Sequence, residues 1–289
     1  MTLNQPESYY RQRIASLTEG RKFLIRRRNM LAWLRFISVA AAFAAFFIAW
    51  PYSAVLAIAL FILFTGLFTN FLVRDLSNRF AIQNTDRLLL INENEVKILD
   101  HDFLHLPDGH SFSEPAHPYA GDLDIFGRAS LYQYINRTTT EQGASELAIL
   151  LLNPCDEDEI RLRQQAAIEL AGKPVFRQQL HAYGLAEPVT INTEMKINNW
   201  LVEESPFVSQ YVWQTARVLL PAISLSLLVL YLINVIPAST FTPCIVLMMV
   251  TAYTISRMVN KAHISLSRIA PQLGSLSNSI QLIEETSFE

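Results

Sequence analysis

The chain has 289 residues, 51% hydrophobic and 17% charged, with a formal net charge of −3 and a mean hydropathy of +0.22. That balance is too apolar for an ordinary soluble domain and too charged for a chain wholly immersed in lipid, and it fits a protein with both membrane and soluble parts. The two cysteines, Cys155 and Cys244, fall in segments of opposite character, which excludes a disulfide framework and matches a reducing compartment.

Residues 8–31 are predicted as an amphipathic helix. Tyr10, Ile14, Leu17, Leu24 and Leu31 follow helical spacing, and Arg21 and Arg28 interrupt the stripe. The run "RKFLIRRR" from Arg21 to Arg28 is expected beside anionic headgroups, at about 1 kcal/mol per basic residue. From Phe36 to Val73 no charged residue occurs over 38 positions, and from Val218 to Ser256 none occurs over 39. One membrane span needs about 20 residues, so each run predicts two spans and a tight turn. The turns are marked by Trp50-Pro51-Tyr52-Ser53 and by Ile236-Pro237-Ala238-Ser239-Thr240, because proline cannot continue a helix. Arg35, one turn inside the first run, is expected to snorkel outward.

Eight Lys or Arg stand against two acids in positions 1–35, and basic residues flank both apolar runs, whereas the turns hold no charge. The positive-inside rule then predicts a multi-pass protein of the inner (plasma) membrane, with both termini and residues 74–216 cytoplasmic. The expected layout is a basic helix over 1–30, a first transmembrane hairpin over 31–73, a cytoplasmic domain over 74–216, a second hairpin over 217–259 and a helical tail over 260–289.

Within the cytoplasmic part, Arg87 to Asp100 is predicted as a small β-hairpin, its two apolar runs separated by Asn92-Glu93-Asn94-Glu95. A loop follows with His101, His105, His110 and His117 and the nearby Asp102 and Asp108. These are possible zinc ligands, but their spacing matches no closed zinc pattern, and no metal ligand is assigned. Next come a short helix from Ser130 to Arg137, a break at Thr138-Thr139-Thr140, and a helix from Glu141 to Leu152 capped by Thr140. A third helix, Glu157 to Ala171, begins at a capping-box-like Asp156 and Glu159. A fourth runs from Val175 to Tyr183, with Gly184 expected as its C′ residue.

The stretch from "HPYAGDLDIFG" through "SLYQYINRTTTEQGASELAILLLNP" to "PVFRQQLHAYGL" resembles the core domain of the MutS family of mismatch-repair ATPases. Arg137, Thr138, Thr140, Gly143, Pro154, Arg163 and Gln164 carry the likeness, over about residues 117–184. The order of hairpin, core and hairpin is similar to a membrane-anchored MutS-like group. The resemblance implies a mainly α fold: two transmembrane hairpins flanking a cytoplasmic MutS-core-like helical domain, with the small β-hairpin beside it. It implies that Arg137 is structural, that a homodimer forms, and that ATP and Mg²⁺ belong to an ATPase domain outside this chain. The chain is then the N-terminal part of a longer protein or a shortened relative.

The departures from the family bound the function. No G-x-x-x-x-G-K-[ST] phosphate loop occurs, and Gly172-Lys173 is followed by Pro174. Phe112-Ser113-Glu114 has the spelling of the family's mismatch reader in the wrong surroundings. From Arg74 to Arg217, twelve basic residues face 21 acidic ones, a net −9 that disfavours DNA although the family likeness suggests it. No residue qualifies as catalytic, cofactor-binding or metal-ligating, and the chain is not expected to be an enzyme on its own. The alternative function is a four-helix membrane adaptor that binds a protein partner. A transporter is disfavoured, because neither apolar run holds an ionisable residue.

Overall fold

The structure is a computed structural model that describes residues 5–188, 190, 195, 211–233 and 235–288. It is mainly helical, and the described residues contain no strand. They divide into two compact units, residues 1–188 with 275–289 and residues 189–274.

The first unit is built on two long helices, α1 (Gln5–Ala49) and α2 (Ala54–Leu99), which run antiparallel against each other. The turn lies at Trp50–Ser53, as its proline predicts, and Ser53 caps α2 by accepting from the Leu56 amide at 3.3 Å. At about 1.5 Å per residue the hairpin is roughly 68 Å long, more than twice a bilayer's hydrocarbon thickness. Its apolar end displays Phe36, Phe47, Ile48 and Ile62 outward, while the small residues Ala42, Ala49 and Ala57 are buried between the helices. A surface of this kind suits hydrocarbon, since small residues let helices approach closely.

The polar half of the hairpin is held differently. The expected stripe of Ile14, Leu17, Leu24 and Leu31 turns toward α2. Asn78 donates from Nδ2 to the Leu24 carbonyl at 3.0 Å, and Arg21 pairs with Asp86. Arg21 is therefore committed to α2 rather than to headgroups. Asp75 is fully buried, accepts a hydrogen bond from Arg79 at 2.9 Å and forms an ion pair with Arg35 Nη1 at 3.2 Å. Arg35 thus finds a carboxylate on the neighbouring helix instead of snorkelling.

The predicted β-hairpin at 87–100 does not form. Those residues continue α2 without a break, because Leu88, Ile91 and Ile98 recur at helical spacing and are buried. Asn92 is no turn residue: its Nδ2 donates to the Leu88 carbonyl one turn back at 2.7 Å. Nor does α1 break at residue 30 or α2 at residue 73, so the apolar and polar segments share the same two helices.

Downstream, α3 (Leu131–Ile135), α4 (Glu141–Leu152), α5 (Glu157–Ala171) and α6 (Pro174–Gly184) follow the predicted order, and the α4 and α5 bounds agree residue for residue. Thr140 caps α4 by accepting from the Gly143 amide at 3.0 Å. Asp156 stands at the start of α5 but makes no side-chain cap, and Glu159 pairs with Arg163 instead. Gly184 is the last residue of α6, not a left-handed C′ residue, and α6 docks on α2 through Ala182, Leu88 and Ile91.

The second unit contains α7 (Tyr211–Leu232) and most of α8 (Ala238–Glu285), separated at the predicted proline. The rings of Tyr231 and Phe241 stack at 4.3 Å across that turn. Three helices among the described residues are long and apolar enough to cross a membrane, Pro6–Ala49, Ala54–Leu99 and Ala238–Arg257; the stretch Val218–Tyr231 is apolar but shorter.

Candidate functional site

The Thr-rich break between α3 and α4 lies against the polar end of the long hairpin. Asn136 starts the corner: its Oδ1 accepts from the Thr138 amide at 2.9 Å and the Thr138 hydroxyl at 2.7 Å, a local turn that stops α3. Arg137 then reaches α2. Its Nε and Nη2 donate to the two carboxylate oxygens of Glu95 at 2.6 and 3.2 Å, and its Nη1 donates to the carbonyls of Tyr134 and Asn136. Such a paired, planar contact fixes geometry as well as charge. Thr139 presses against Gly184 so closely that a Cβ there would lie 2.1 Å from its hydroxyl oxygen.

Gly143, one turn into α4, lies against the threonines of the break: a Cβ would meet Thr140 Oγ1 at 2.9 Å and Thr138 at 3.6 Å.

Above this corner opens a cleft of about 400 Å³. Its walls come from α1 (Tyr10), α2 (Ile91, Glu95), the corner, the end of α5 (Leu170) and α6 (Phe176, Arg177, Gln178, His181). Sequence reading did not collect these residues, because they are spread over 170 positions and only the fold unites them. The Glu95–Arg137 pair lies on its floor with side chains about a quarter exposed. Gln178 is buried and donates from Nε2 to Asn92 Oδ1 at 2.8 Å. Burial lowers the pKa of His181 below its ordinary value, and Arg137 nearby adds to this, against an opposing pull from Glu95.

His101, His105 and His110 are exposed, and Asp108 accepts from the His110 amide at 3.0 Å. The His117 ring bonds the Leu152 carbonyl through Nε2 and accepts the Ala120 amide at Nδ1, tying the loop to α4. Among the described residues, no three His, Cys, Asp or Glu side chains come together as a metal site. Phe112 packs against Phe126 and Tyr132 and is half-buried.

The groups implied by the resemblance, ATP and Mg²⁺, have no fitting cradle here. Gly172 closes α5, and the Lys173 ammonium is committed to Glu169 at 2.6 Å and to the Ser287 carbonyl, over the Phe288 ring. No family model, no curated protein and no solved structure matches the chain.

Proposed function

We propose that this chain is a membrane-anchored, MutS-core-like scaffold of the inner (plasma) membrane, with residues 74–216 and both ends cytoplasmic. ATP hydrolysis belongs to a region outside these 289 residues. The observation that carries the reading is the way the resembling module is fixed to its anchor. Arg137 holds Glu95 and Gln178 holds Asn92, so two separate parts of the module are bonded to the helix that continues into the apolar run. A module held at two points on one helix cannot swing freely, which suits the transmission of position rather than catalysis.

The exposed aromatics support the membrane placement. Trp33 on α1 and Trp50, the turn residue just past its end, are exposed and separated by about 26 Å along the helix axis at 1.5 Å per residue. That is close to the roughly 30 Å hydrocarbon thickness, and Trp favours both interfaces. The second hairpin, α7 and α8, is part of the same proposal.

The adaptor reading is favoured by α5. Leu162 and Ile168 are 66% and 75% exposed on a helix that packs against α6. In the scaffold reading the absent region covers that face; in the adaptor reading a separate protein does.

The test is made on the full chain in nanodiscs and in cells. Cysteines placed at Asp108 and Ser287, with Cys155 and Cys244 changed to Ser, are expected to react only from the cytoplasmic side. The purified chain is expected to turn over no ATP. Extending the reading frame past codon 289 is expected to reveal a P-loop. Labelling from outside ends the topology. ATP turnover by this chain alone ends the division of labour, and a frame closed at codon 289 favours the adaptor.

A further inference from the structure

The cleft holds polar groups that the protein leaves unanswered. Among the described residues, the Tyr10 hydroxyl, the His181 ring and the Arg177 guanidinium have no hydrogen-bond or ion-pair partner. The apolar remainder of the lining is Ile91, Leu170, Phe176 and Leu180.

The charge balance narrows what fits. Glu95 is answered on both oxygens by Arg137, so this pair presents no net charge. Arg177 remains the one cation among the described lining residues without an opposite partner. Tyr10 and His181 in their neutral forms each offer a proton to an acceptor. Cation and neutral donors beside apolar walls form an environment for one negative charge attached to an apolar body. The volume of about 400 Å³ falls in the range of small-molecule sites.

We propose that the cleft binds a small amphipathic monoanion, a carboxylate or phosphate ester whose head meets Arg177, Tyr10 and His181 and whose ring-sized or short alkyl body lies on Phe176, Leu180 and Ile91. Such a ligand touches α1, α2, the Thr corner and α6 together. Binding therefore tightens the module on its anchor, since a ligand that favours one arrangement shifts the population toward it. The inference does not depend on the MutS-like reading, because it uses only the cleft.

The experiment uses fluorine NMR on the full chain in nanodiscs, with 4-fluorobenzoate and methyl 4-fluorophenyl phosphate, each carrying one negative charge, as probes. At least one probe is expected to bind saturably, and the two arms distinguish a carboxylate from a phosphate head. Arg177→Ala is expected to weaken binding about tenfold or more, as loss of a charge-assisted hydrogen bond does. Arg177 is exposed and unpaired, so its removal leaves the fold intact. Leu180→Trp, which fills the apolar wall, is expected to abolish binding, and Arg161→Ala, on an exposed helix outside the cleft, to leave it unchanged. Saturable binding lost in Arg177→Ala and kept in Arg161→Ala establishes the site. Absence of saturable binding by both probes, equal uptake by empty nanodiscs, or full affinity in Arg177→Ala overturns it.

Discussion

Gln178 on α6 and Asn92 on α2 are joined by a hydrogen bond of 2.8 Å from Nε2 to Oδ1, with both residues buried. Asn92 also donates to the Leu88 carbonyl, so the contact links one helix's backbone to the other's side chain. The surroundings are apolar, formed by Leu88, Ile91 and Ala182 with Leu17 and Leu185. A polar pair inside an apolar seam specifies which residues face each other, because every shifted register leaves amides unanswered.

The first prediction is a double-mutant cycle at that pair. Asn92→Ala leaves the Gln178 amide buried and unpaired and is expected to cost about 1–3 kcal/mol, as is Gln178→Ala. Asn92→Ala combined with Gln178→Ala removes both polar groups and is expected to cost less than the sum of the singles. Thermal unfolding of the four proteins measures the coupling. Additive losses would mean that the two side chains act independently.

Glycine gives the second prediction, in which one substitution has opposite signs at two helical positions. At Gly20, on α1, a Cβ meets nothing within 4 Å. Gly20→Ala is expected to stabilise the chain by about 0.5–1 kcal/mol through helix propensity. At Gly184 a Cβ meets the Thr139 side chain at 2.1, 2.8 and 3.1 Å, too close for any rotation to relieve. Gly184→Ala is expected to destabilise by about 1–3 kcal/mol through overpacking, with partial rescue by Thr139→Ala. A Gly184→Ala protein that melts at or above the parent temperature would mean that the corner is not packed as described.

Much of this was legible in the residues. The turn at Pro51, the Thr140 cap and the bounds of α4 and α5 follow from local chemistry, and local chemistry governs them in the fold. The errors came where tertiary partners decide. Asn92-Glu93-Asn94-Glu95 has the composition of a turn, yet Asn92 is answered by Gln178, 86 residues away, and Glu95 by Arg137, 42 residues away. With those partners the segment stays helical, and its apolar residues keep helical spacing. Arg35 was read alone, whereas Asp75 on the facing helix decides its direction. The cleft was illegible for the same reason: no pattern in one segment announces walls drawn from five.

The third prediction concerns pH. His181 has a folded-state pKa lowered by burial, so folding favours its neutral form. The stabilisation is complete above the unfolded-state value of about 6.5 and is lost as the pH falls toward the folded value. Unfolding temperature is therefore expected to drop as pH is lowered below about 6.5, and His181→Gln is expected to flatten this part of the profile. An identical slope in parent and variant would assign the acid sensitivity to other groups.

The fourth prediction tests the junction between the soluble and apolar halves of the hairpin. Asp75 is fully buried, and its Oδ2 is shared by Arg35 and Arg79. The Arg35 side chain is only 20% exposed, so it depends on this carboxylate, whereas Arg79 is 57% exposed and can turn to water. Asp75→Ala leaves Arg35 charged and largely buried without an answer, a change expected to cost about 3–5 kcal/mol. Removing the dependent charge as well, in Asp75→Ala with Arg35→Leu, is expected to recover most of the loss, because an apolar pair suits a site next to the uncharged run. Arg79→Ala alone is expected to cost less, about 1–3 kcal/mol, since it removes a hydrogen bond to the buried carboxylate but leaves Arg35 beside it. Unfolding of the four proteins in nanodiscs, followed by helical circular dichroism, separates these cases. If Asp75→Ala melts like the parent, or if Arg79→Ala is as damaging as Asp75→Ala, Arg35 does not rely on Asp75 and the hairpin is not pinned at this point.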